Sequence, residues 1–384
     1  MKYQRLSTRQ NLAMTWWNRP GFEVYDGIIC DGSIRSGKTV AMTVGFIMWA
    51  MTRFDGCNFA ICGKTIESLR RNVTSNLPVW LAGVFSFKEH RTENKIVVSA
   101  NGKSNSFYLF GGKDESSAAL IQGITLAGIL LDEVALMPES FVNQATARCS
   151  VEGAKLWFNC NPEGPSHWFY TKWVLEASKR KMLHLHFTMD DNLSLSAAVK
   201  ARYESLYSGV FYDRFIRGLW VVAEGLIYTM FNKDFHVVPS VPRPYEKWYR
   251  MREYYYDSRK EGRQRTDEEH YTELECLADG LHVSAIIVDP SAASFIEVIR
   301  RHDRYRVEKA SNSVLDGIRN VATRLQSGDI FFCDCCTDCI REFGMYRWDE
   351  KAQMDRPIKE NDHSMDDVRY FVHRVYAPDL ISFK

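Results

Sequence analysis

The chain has 384 residues, with 49 lysine and arginine residues against 48 aspartate and glutamate residues, which gives a net charge of +1 with neutral histidines. This length predicts two domains, and the balanced charge excludes binding to nucleic acid through a global basic field, so any such contact must be local. No stretch approaches about 18 consecutive apolar residues and the polar N-terminus lacks the apolar core of a signal peptide, so the sequence predicts a soluble cytoplasmic protein rather than a membrane protein.

A phosphate-binding loop follows the first predicted strand. Residues Gly32 to Thr39 read Gly-Ser-Ile-Arg-Ser-Gly-Lys-Thr and fulfil the pattern G-x-x-x-x-G-K-[ST]. The apolar stretch 27–31 predicts a buried strand before the loop, and residues 39–53 predict a helix after it. In that setting the loop N–H groups and the helix N-terminus face a phosphate, so the sequence predicts nucleotide binding. The segment 7–17, which opens with a possible helix cap, is expected to pack over the same site.

The side chains of this loop have distinct expected roles. Lys38 is expected to reach the β- and γ-phosphates of ATP, and Thr39 is expected to hold Mg²⁺. Arg35 has two interpretations, since its guanidinium could stabilise charge on the transferring phosphate or could contact solvent or a neighbouring subunit. The remaining residues of the predicted phosphate cradle are Gly32, Ser33, Ser36 and Gly37.

Strand and helix signals alternate through the rest of the N-terminal half. This alternation predicts an α/β fold in which flanking helices cover a parallel sheet. The pair Asn101-Gly102 predicts a hairpin turn. The predicted strands are 58–62, 95–99, 106–110, 126–131, 155–159 and 183–187, and the predicted helices are 66–77, 138–147 and 196–207.

Acidic and amide side chains follow two of these strands. Asp132 and Glu133 end the apolar strand 126–131, where a carboxylate faces bound phosphates across the sheet. We expect Asp132 to hold Mg²⁺ and Glu133 to act as the general base on the attacking water. Asn159 and Asn161 follow the next strand, where they could sense the γ-phosphate, although a plain Asn-Pro turn explains them almost as well.

A proline cluster after residue 225 indicates a linker and a second domain. The predicted elements beyond it are a β stretch 251–256, strands 284–288 and 330–333, and helices 314–326 and 364–375. Most of the ten cysteines read as small core residues in a reducing compartment. The exception is a cluster that could hold zinc, but ordinary strand-to-helix packing is favoured because no second ligand pair lies at zinc-ribbon spacing. The cluster consists of Cys333, Cys335, Cys336 and Cys339.

Two acidic positions of the second domain could contribute to a metal site. Asp289 ends an apolar strand, while His363 and Asp366 lie on one face at the start of a helix. Cleavage of a phosphodiester by two metal ions requires such separated carboxylates to converge. Surface acids at element ends are the alternative interpretation.

The stretch 243–265 is locally basic. It holds eight basic residues against four acidic ones, a local charge of +4, with six aromatic residues among them. Phosphate contacts from this stretch would give DNA binding that depends on salt and is indifferent to sequence. A solvated strand face is an equally good interpretation.

Taken together, these motifs resemble a phage terminase large subunit of the PBSX type over nearly the whole chain. The resemblance implies an N-terminal ATPase that drives duplex DNA through a portal into a capsid, and a C-terminal RNase H-like nuclease that cuts concatemers. It also implies that Gln10 contacts adenine, that Arg35 acts as an in-loop arginine finger, and that Asn159 to Asn161 couple hydrolysis to motion. The motifs that carry it are 31–39, 121–128, 131–135, 159–165 and 218–228.

This family gives the domain organisation and the partners that we expect. The expected organisation is an ATPase domain over 1–222, a linker over 223–245 and a nuclease domain over 246–384. Asp289 and Asp366, with His363 nearby, match the family's second and third nuclease motifs and would use Mg²⁺ or Mn²⁺. The expected partners are double-stranded DNA, a terminase small subunit, the portal protein and further copies of this chain in a ring, in the host cytoplasm and not in the mature virion.

One departure from the family concerns its first nuclease motif. Terminases of this type carry a strand that ends in an aspartate shortly after the proline-rich linker, whereas here the linker runs directly into residues that match a later strand. The first strand or strands and that aspartate are therefore expected to be missing, and Glu253 or Asp257 is a possible substitute. The alternative function is an ATPase-only or inactive assembly subunit with a degenerate nuclease domain.

Overall fold

The computed structural model describes residues 5–207, 209–244, 246–350, 352 and 355–381, without the side chains of 259–260 and 377–381. The chain folds as two compact units, of which unit 1 comprises Met1–Glu204 and Tyr212–Val221, and unit 2 comprises Ser205–Phe211 and Val222–Lys384. No helix in the described ranges combines the length and the apolarity that crossing a membrane requires.

The seven strands predicted in the N-terminal half form one eight-stranded sheet in unit 1, together with one strand that was not predicted. The strands are β1 Gly27–Gly32, β2 Asn58–Gly63, β3 Ser86–His90, β4 Lys95–Ala100, β5 Lys103–Gly111, β6 Gly128–Asp132, β7 Lys155–Asn159 and β8 Met182–Phe187. Their order is β3-β4-β5-β2-β6-β7-β1-β8, in which the strands from β5 to the β8 edge run parallel, while β4 runs antiparallel to both β3 and β5. The predicted parallel sheet and the hairpin between β4 and β5 are confirmed.

Helices cover both faces of this sheet because its central strands are apolar on both sides. Along β1, Ile28 and Cys30 join one buried cluster with Phe46 of the helix that follows the phosphate loop, whereas Ile29 joins the other with Phe141 of the helix that follows Pro138. This alternation follows from the two-residue repeat of a strand. The helices are α1 Thr8–Thr15, α2 Lys38–Arg53, α3 Ile66–Asn72, α4 Leu77–Trp80, α5 Glu139–Ala147, and α6 Ala197–Leu206 and α7 Gly209–Phe215, which contain residues of both units.

The helix predicted over 66–77 is interrupted. It ends at Asn72, and a 3₁₀ turn, Thr74–Asn76, separates it from α4. Pro78 has no N–H to donate to the carbonyl of Thr74, and its ring would clash with that carbonyl in a continuous helix, so it lies in the first turn of α4, where proline is tolerated. The β-branched pair Val73 and Thr74 lowers the helical preference just before this point. The short strand β3 was not predicted, because its side chains are mostly exposed and give no apolar alternation.

Unit 2 contains two small parallel sheets. Their strands are β9 Val237–Val238, β10 Trp248–Arg250, β11 Ile286–Val288, β12 Val307–Lys309 and β13 Ile330–Cys333. One sheet has the order β10-β13-β9, and the other pairs β11 with β12. None of the named strands in the described part of unit 2 runs antiparallel to a neighbour. The helices are α8 Lys233–His236, α9 Ser258–Glu261, α10 Asp267–Ala278, α11 Ala293–His302, α12 Val314–Gln326, α13 Thr337–Phe343 and α14 His363–Ile381.

The β stretch predicted over 251–256 was placed too late in the chain. The strand is β10, which ends at Arg250 and pairs with β13. Residues 251–256 leave the sheet because their side chains are engaged elsewhere: the Tyr254 hydroxyl bonds to His270 Nδ1 at 2.9 Å, and the Tyr255 hydroxyl donates to Glu342 at 2.8 Å. Residues 233–238, inside the predicted linker, form α8 and β9. The domain boundaries at 222 and 245 stay predictions.

Candidate functional site

Three neighbouring strands bring the predicted site residues of unit 1 to one edge of the sheet. Cys30 of β1 lies opposite Asn159 of β7, and Asn159 lies opposite Asp132 of β6. Because the strands are parallel, their carboxyl ends meet at the same edge. The phosphate loop, Asp132 and Asn159 are therefore adjacent although they lie far apart in the sequence.

Lys38 is buried in the middle of this edge. Its Nζ lies within hydrogen-bond distance of four oxygens that share its three N–H groups, namely Gly32 O at 3.1 Å, Ser33 O at 2.6 Å, Ser36 Oγ at 3.3 Å and Asn161 Oδ1 at 3.1 Å. Burial lowers the pKa of Lys38 to about 8, although nearby acidic groups oppose this effect. The ammonium is thus held by oxygen acceptors, and phosphate oxygens are acceptors of the same kind.

A second cluster combines oxygen ligands beside the start of α2. Thr39 Oγ1 donates to Asp132 Oδ1 at 3.2 Å and accepts from Asn159 Nδ2 at 3.0 Å. Asn159 Oδ1 is buried and has no hydrogen-bond partner among the described residues. Burial, together with the charge of Glu133, raises the pKa of Asp132 to about 7. Hydroxyl, carboxylate and amide oxygens suit Mg²⁺, which is usually held by one or two protein oxygens, phosphates and water.

Two predicted catalytic residues adopt left-handed backbone conformations that are uncommon outside glycine. Glu133, directly after β6, has a φ of +58°, and Arg35 in the loop has a φ of +57°. Such conformations cost on the order of 1–3 kcal/mol and often occur at functional sites. The exposed Arg35 guanidinium lies 5.2 Å from the ring centroid of Tyr203. The structure gives Arg35 this contact, and its role in catalysis stays a prediction.

Helix α1 packs against the phosphate loop, as the sequence predicted. The buried Gln10 donates from Nε2 to Ser36 O at 3.1 Å, and its Oε1 accepts from Ser7 N at 3.1 Å as part of a capping box. A Cβ at Gly37, where φ is +83°, would lie 2.3 Å from Gln10 Nε2. Gln10 therefore lies at the loop, and its contact with adenine stays a prediction.

A buried cluster around Asp31 was not predicted from the sequence. Its Oδ1 accepts from His184 Nε2 at 2.9 Å and His186 Nδ1 at 3.1 Å, and its Oδ2 accepts from Trp220 Nε1 at 2.6 Å. Burial alone would raise the pKa of Asp31, but these donors lower it well below its usual range. His184 and His186 are separated by one residue, so their side chains lie on the same face of β8, and the sequence contains this signal. Trp220 is distant in the chain, so the sequence gives no signal that it joins the cluster.

The two predicted nuclease carboxylates of unit 2 are both engaged by protein donors. Asp289 accepts from the Tyr370 hydroxyl and from Ser291 N, the latter at 2.7 Å, and these bonds lower its pKa. Asp366 pairs with Arg369 at 2.7 Å, and the exposed His363 begins α14. No group of three or more His, Cys, Asp or Glu residues in the described chain is arranged to hold a metal ion.

Glu253, one of the suggested substitutes for the missing aspartate, caps a helix instead. Its carboxylate accepts from the backbone N–H groups of Asp338 at 2.8 Å and Cys339 at 2.9 Å, at the start of α13. The cysteine cluster lies beside it, with Cys336 and Cys339 buried. The thiol of Cys336 donates to Arg250 O at 3.4 Å. The observed contacts of this cluster are those of strand-to-helix packing.

The basic stretch 243–265 is paired largely within unit 2. Lys247 pairs with Asp329 at 2.7 Å, Arg263 with Glu269 at 2.7 Å and Arg265 with Glu273 at 2.6 Å. Arg250 pairs with Asp367, and Arg252 donates to two backbone carbonyls. The structure does not describe the side chains of Arg259 and Lys260. These contacts favour a structural interpretation of the stretch over direct contact with DNA.

Comparisons with known proteins agree with the sequence motifs. A family model described as "Terminase large subunit, T4likevirus-type, N-terminal" matches residues 29–235. A solved large terminase from a thermophilic bacteriophage is 52% identical, with a TM-score of 0.91 over 97% of this chain and 99% of that one. The ADP complex of the same terminase is 51% identical, with a TM-score of 0.87 and the same coverage. The large terminase subunit of Escherichia phage T5 is 27% identical over 118 residues, 29% of this chain and 27% of the T5 protein.

Proposed function

The chain belongs to the terminase large subunit family, and we propose that unit 1 hydrolyses ATP to drive the packaging of double-stranded phage DNA. The observation that carries the proposal is the convergence of Lys38, Thr39, Asp132 and Asn159 at the carboxyl ends of three neighbouring strands. Two structures of the similar thermophilic-phage terminase, in complex with ADP and with ATP-gamma-S, support nucleotide binding here. The motifs described above resemble a PBSX-type terminase, and the matching family model is of the T4likevirus type.

Each residue of the site would contact a different part of the nucleotide or its metal ion. The Lys38 ammonium would exchange carbonyl acceptors for β- and γ-phosphate oxygens, while loop N–H groups after Ile34 cradle the β-phosphate. Thr39 and Asp132 would hold Mg²⁺, whose charge offsets that of the β- and γ-phosphates. Gln10 would contact the adenine. Arg35 would approach the γ-phosphate of the nucleotide in its own site or of a nucleotide bound by a neighbouring subunit.

Glu133 is the residue that we assign to the attacking water. It follows Asp132 directly, and its left-handed backbone turns the chain at the end of β6. As a carboxylate within reach of a water, it would take the proton as the oxygen attacks phosphorus. Asn161, which contacts Lys38, would register the loss of the γ-phosphate and so couple hydrolysis to movement.

The experiment compares two substitutions in the full chain with matched controls. Lys38→Ala should abolish ATP hydrolysis and weaken binding of ATPγS, because it removes the cation on the phosphates. Glu133→Gln should bind ATPγS with normal affinity and lower turnover by about 10²-fold or more. Lys113→Ala and Glu152→Gln, at exposed positions, are the controls. Unchanged turnover in both site variants would overturn the proposal.

We propose that unit 2 is a nuclease domain with weakened metal binding. Two close divalent ions repel each other, so several free carboxylates are needed to hold them. Asp289 and Asp366 are both hydrogen bonded by neighbouring side chains, and Glu253 caps α13. These contacts favour the alternative of an ATPase whose nuclease domain is degenerate. By family membership we also propose a small subunit, a portal protein and further copies of this chain as partners in the host cytoplasm.

A further inference from the structure

The backbone of the segment Tyr212–Val221 is hydrogen bonded to the phosphate loop. None of the catalytic roles proposed for the site residues depends on this contact. Ile34 N–H donates to Phe215 O at 2.8 Å. At Gly218, φ is +74° and an added Cβ would lie 2.7 Å from Ser33 N. The segment therefore lies directly against the first half of the loop, and only glycine fits at position 218 without displacing it.

A side-chain bond reinforces this contact. Trp220 Nε1 donates to Asp31 Oδ2 at 2.6 Å, while the indole ring stacks on Tyr170 with ring centroids 4.8 Å apart. Asp31 is 1% exposed and immediately precedes the loop. A hydrogen bond to a charged acceptor is about twice as strong as a neutral one, and burial strengthens it further.

The same segment is attached to the loop that follows β7. Arg214, which is 1% exposed, donates from Nη2 to Val221 O at 2.6 Å and from Nε to the same oxygen at 3.2 Å. Its Nη1 lies 3.8 Å from Glu163 Oε2. Glu163 lies two residues beyond Asn161, so the segment contacts both loops that surround Lys38.

Lys38 and the segment contact the same two residues of the phosphate loop. Lys38 Nζ donates to the carbonyls of Gly32 and Ser33, and these are the residues against which Gly218 packs. A phosphate that draws Lys38 away removes a donor from both carbonyls. The carbonyls of Gly32 and Ser33 would then lose their hydrogen bonds to Lys38 at the position where Gly218 packs.

We propose that Asp31 and Trp220 are positioning residues that link nucleotide binding to the order of the segment Tyr212–Val221. The inference rests on the proposed ATPase function. Because such linkage is reciprocal, the factor by which nucleotide orders the segment equals the factor by which the attached segment tightens nucleotide binding. The residues on either side of the segment, Phe211 and Val222, both belong to unit 2. The segment is thus a part of unit 1 that the chain joins to unit 2 at both ends.

Hydrogen exchange of the full chain, followed by mass spectrometry with and without ATPγS and Mg²⁺, tests this link. We expect ATPγS to slow amide exchange in residues 213–221 by about tenfold, within the usual range of coupling between sites. Trp220→Phe keeps the aromatic ring and removes the indole N–H. In this variant we expect most of the slowing to be lost and the Kd for ATPγS to rise by a similar factor.

Trp16→Phe is the matched control, because the buried Trp16 Nε1 has no hydrogen-bond partner among the described residues. This variant should keep both the slowing and the affinity. Asp31→Asn retains an acceptor for Trp220 and should keep most of the slowing, whereas Asp31→Ala should lose it. The inference is overturned if the unmodified chain binds ATPγS while exchange at 213–221 stays unchanged, or if the paired variants behave alike. Failure of the unmodified chain to bind ATPγS would instead refute the proposed function.

Discussion

Replacing Asp132 by asparagine should stabilise the chain while removing its activity. Burial and the charge of Glu133 raise the pKa of Asp132 from 3.8 to about 7. Because each pKa unit corresponds to about 1.4 kcal/mol, the ionised carboxylate destabilises the folded state by about 4 kcal/mol at pH 7.5. Asparagine has nearly the same shape and no charge, and it can still bond to Thr39 and Asn159. The variant should therefore unfold at a higher temperature, but it should not hydrolyse ATP.

The effect has a defined dependence on pH. From about pH 4 to about pH 7 the folded state keeps a proton that the unfolded state has lost, so the stability contribution of Asp132 falls as pH rises. The gain from Asp132→Asn should be about 2 kcal/mol at pH 5 and about 4 kcal/mol at pH 7.5. For a unit of this size, the larger figure corresponds to a rise in Tm of about 8–16 °C.

Thermal unfolding in EDTA, followed by circular dichroism at both pH values, measures this gain. Asp190→Asn is the control, since Asp190 has a side chain that is 87% exposed and pairs with Lys200 at the surface. ATPγS with Mg²⁺ should raise the Tm of the unmodified chain and leave that of Asp132→Asn nearly unchanged. A gain that is equal at the two pH values, or a loss of stability at pH 7.5, would refute the reasoning.

Three further predictions concern the segment beside the loop and unit 2. Gly218→Ala should destabilise the chain by about 1–3 kcal/mol more than Gly225→Ala, as measured by Tm, because both glycines have positive φ but only the first is crowded; equal losses would contradict this. Cutting of supercoiled plasmid with Mn²⁺ should be weak, and robust cutting that Asp289→Ala abolishes would show that the metal site is complete. The paired substitutions Arg263→Gln and Arg265→Gln should leave duplex affinity within about twofold at every salt concentration, since both arginines are already ion-paired; a flatter salt dependence of fluorescence anisotropy would assign them to DNA.

The residues of the site that could be predicted are those marked by a pattern in the neighbouring sequence. The phosphate loop is a contiguous motif between a strand and a helix, and Asp132 and Asn159 each follow an apolar run, so parallel pairing alone brings them together. The bond between Asp31 and Trp220 joins residues 189 positions apart, and nothing in the motifs that contain them, 31–39 and 218–228, indicates that the two side chains meet. The helix over 66–77 was predicted as continuous because apolar spacing outweighed the weaker signals of Val73 and Pro78.

Unit 2 was harder to predict because its strands are short. β10 has three residues, too few for periodicity to separate it from the aromatic stretch that follows. The side chains of that stretch look like those of a strand, but they bond to helices α10 and α13 and to residues near them. Tertiary contacts thus decided where the strand ends.

The hydrogen bonds of Lys38 in the phosphate loop have a consequence for ligand affinity. Its ammonium loses its water when the protein folds, since four protein oxygens surround it before any phosphate arrives. A phosphate that enters the loop therefore meets a cation that is already dehydrated and held in one place. The free-energy cost of removing water from the Lys38 ammonium and of fixing its position is thus met when the chain folds. Phosphate binding then exchanges protein oxygens for phosphate oxygens around the ammonium.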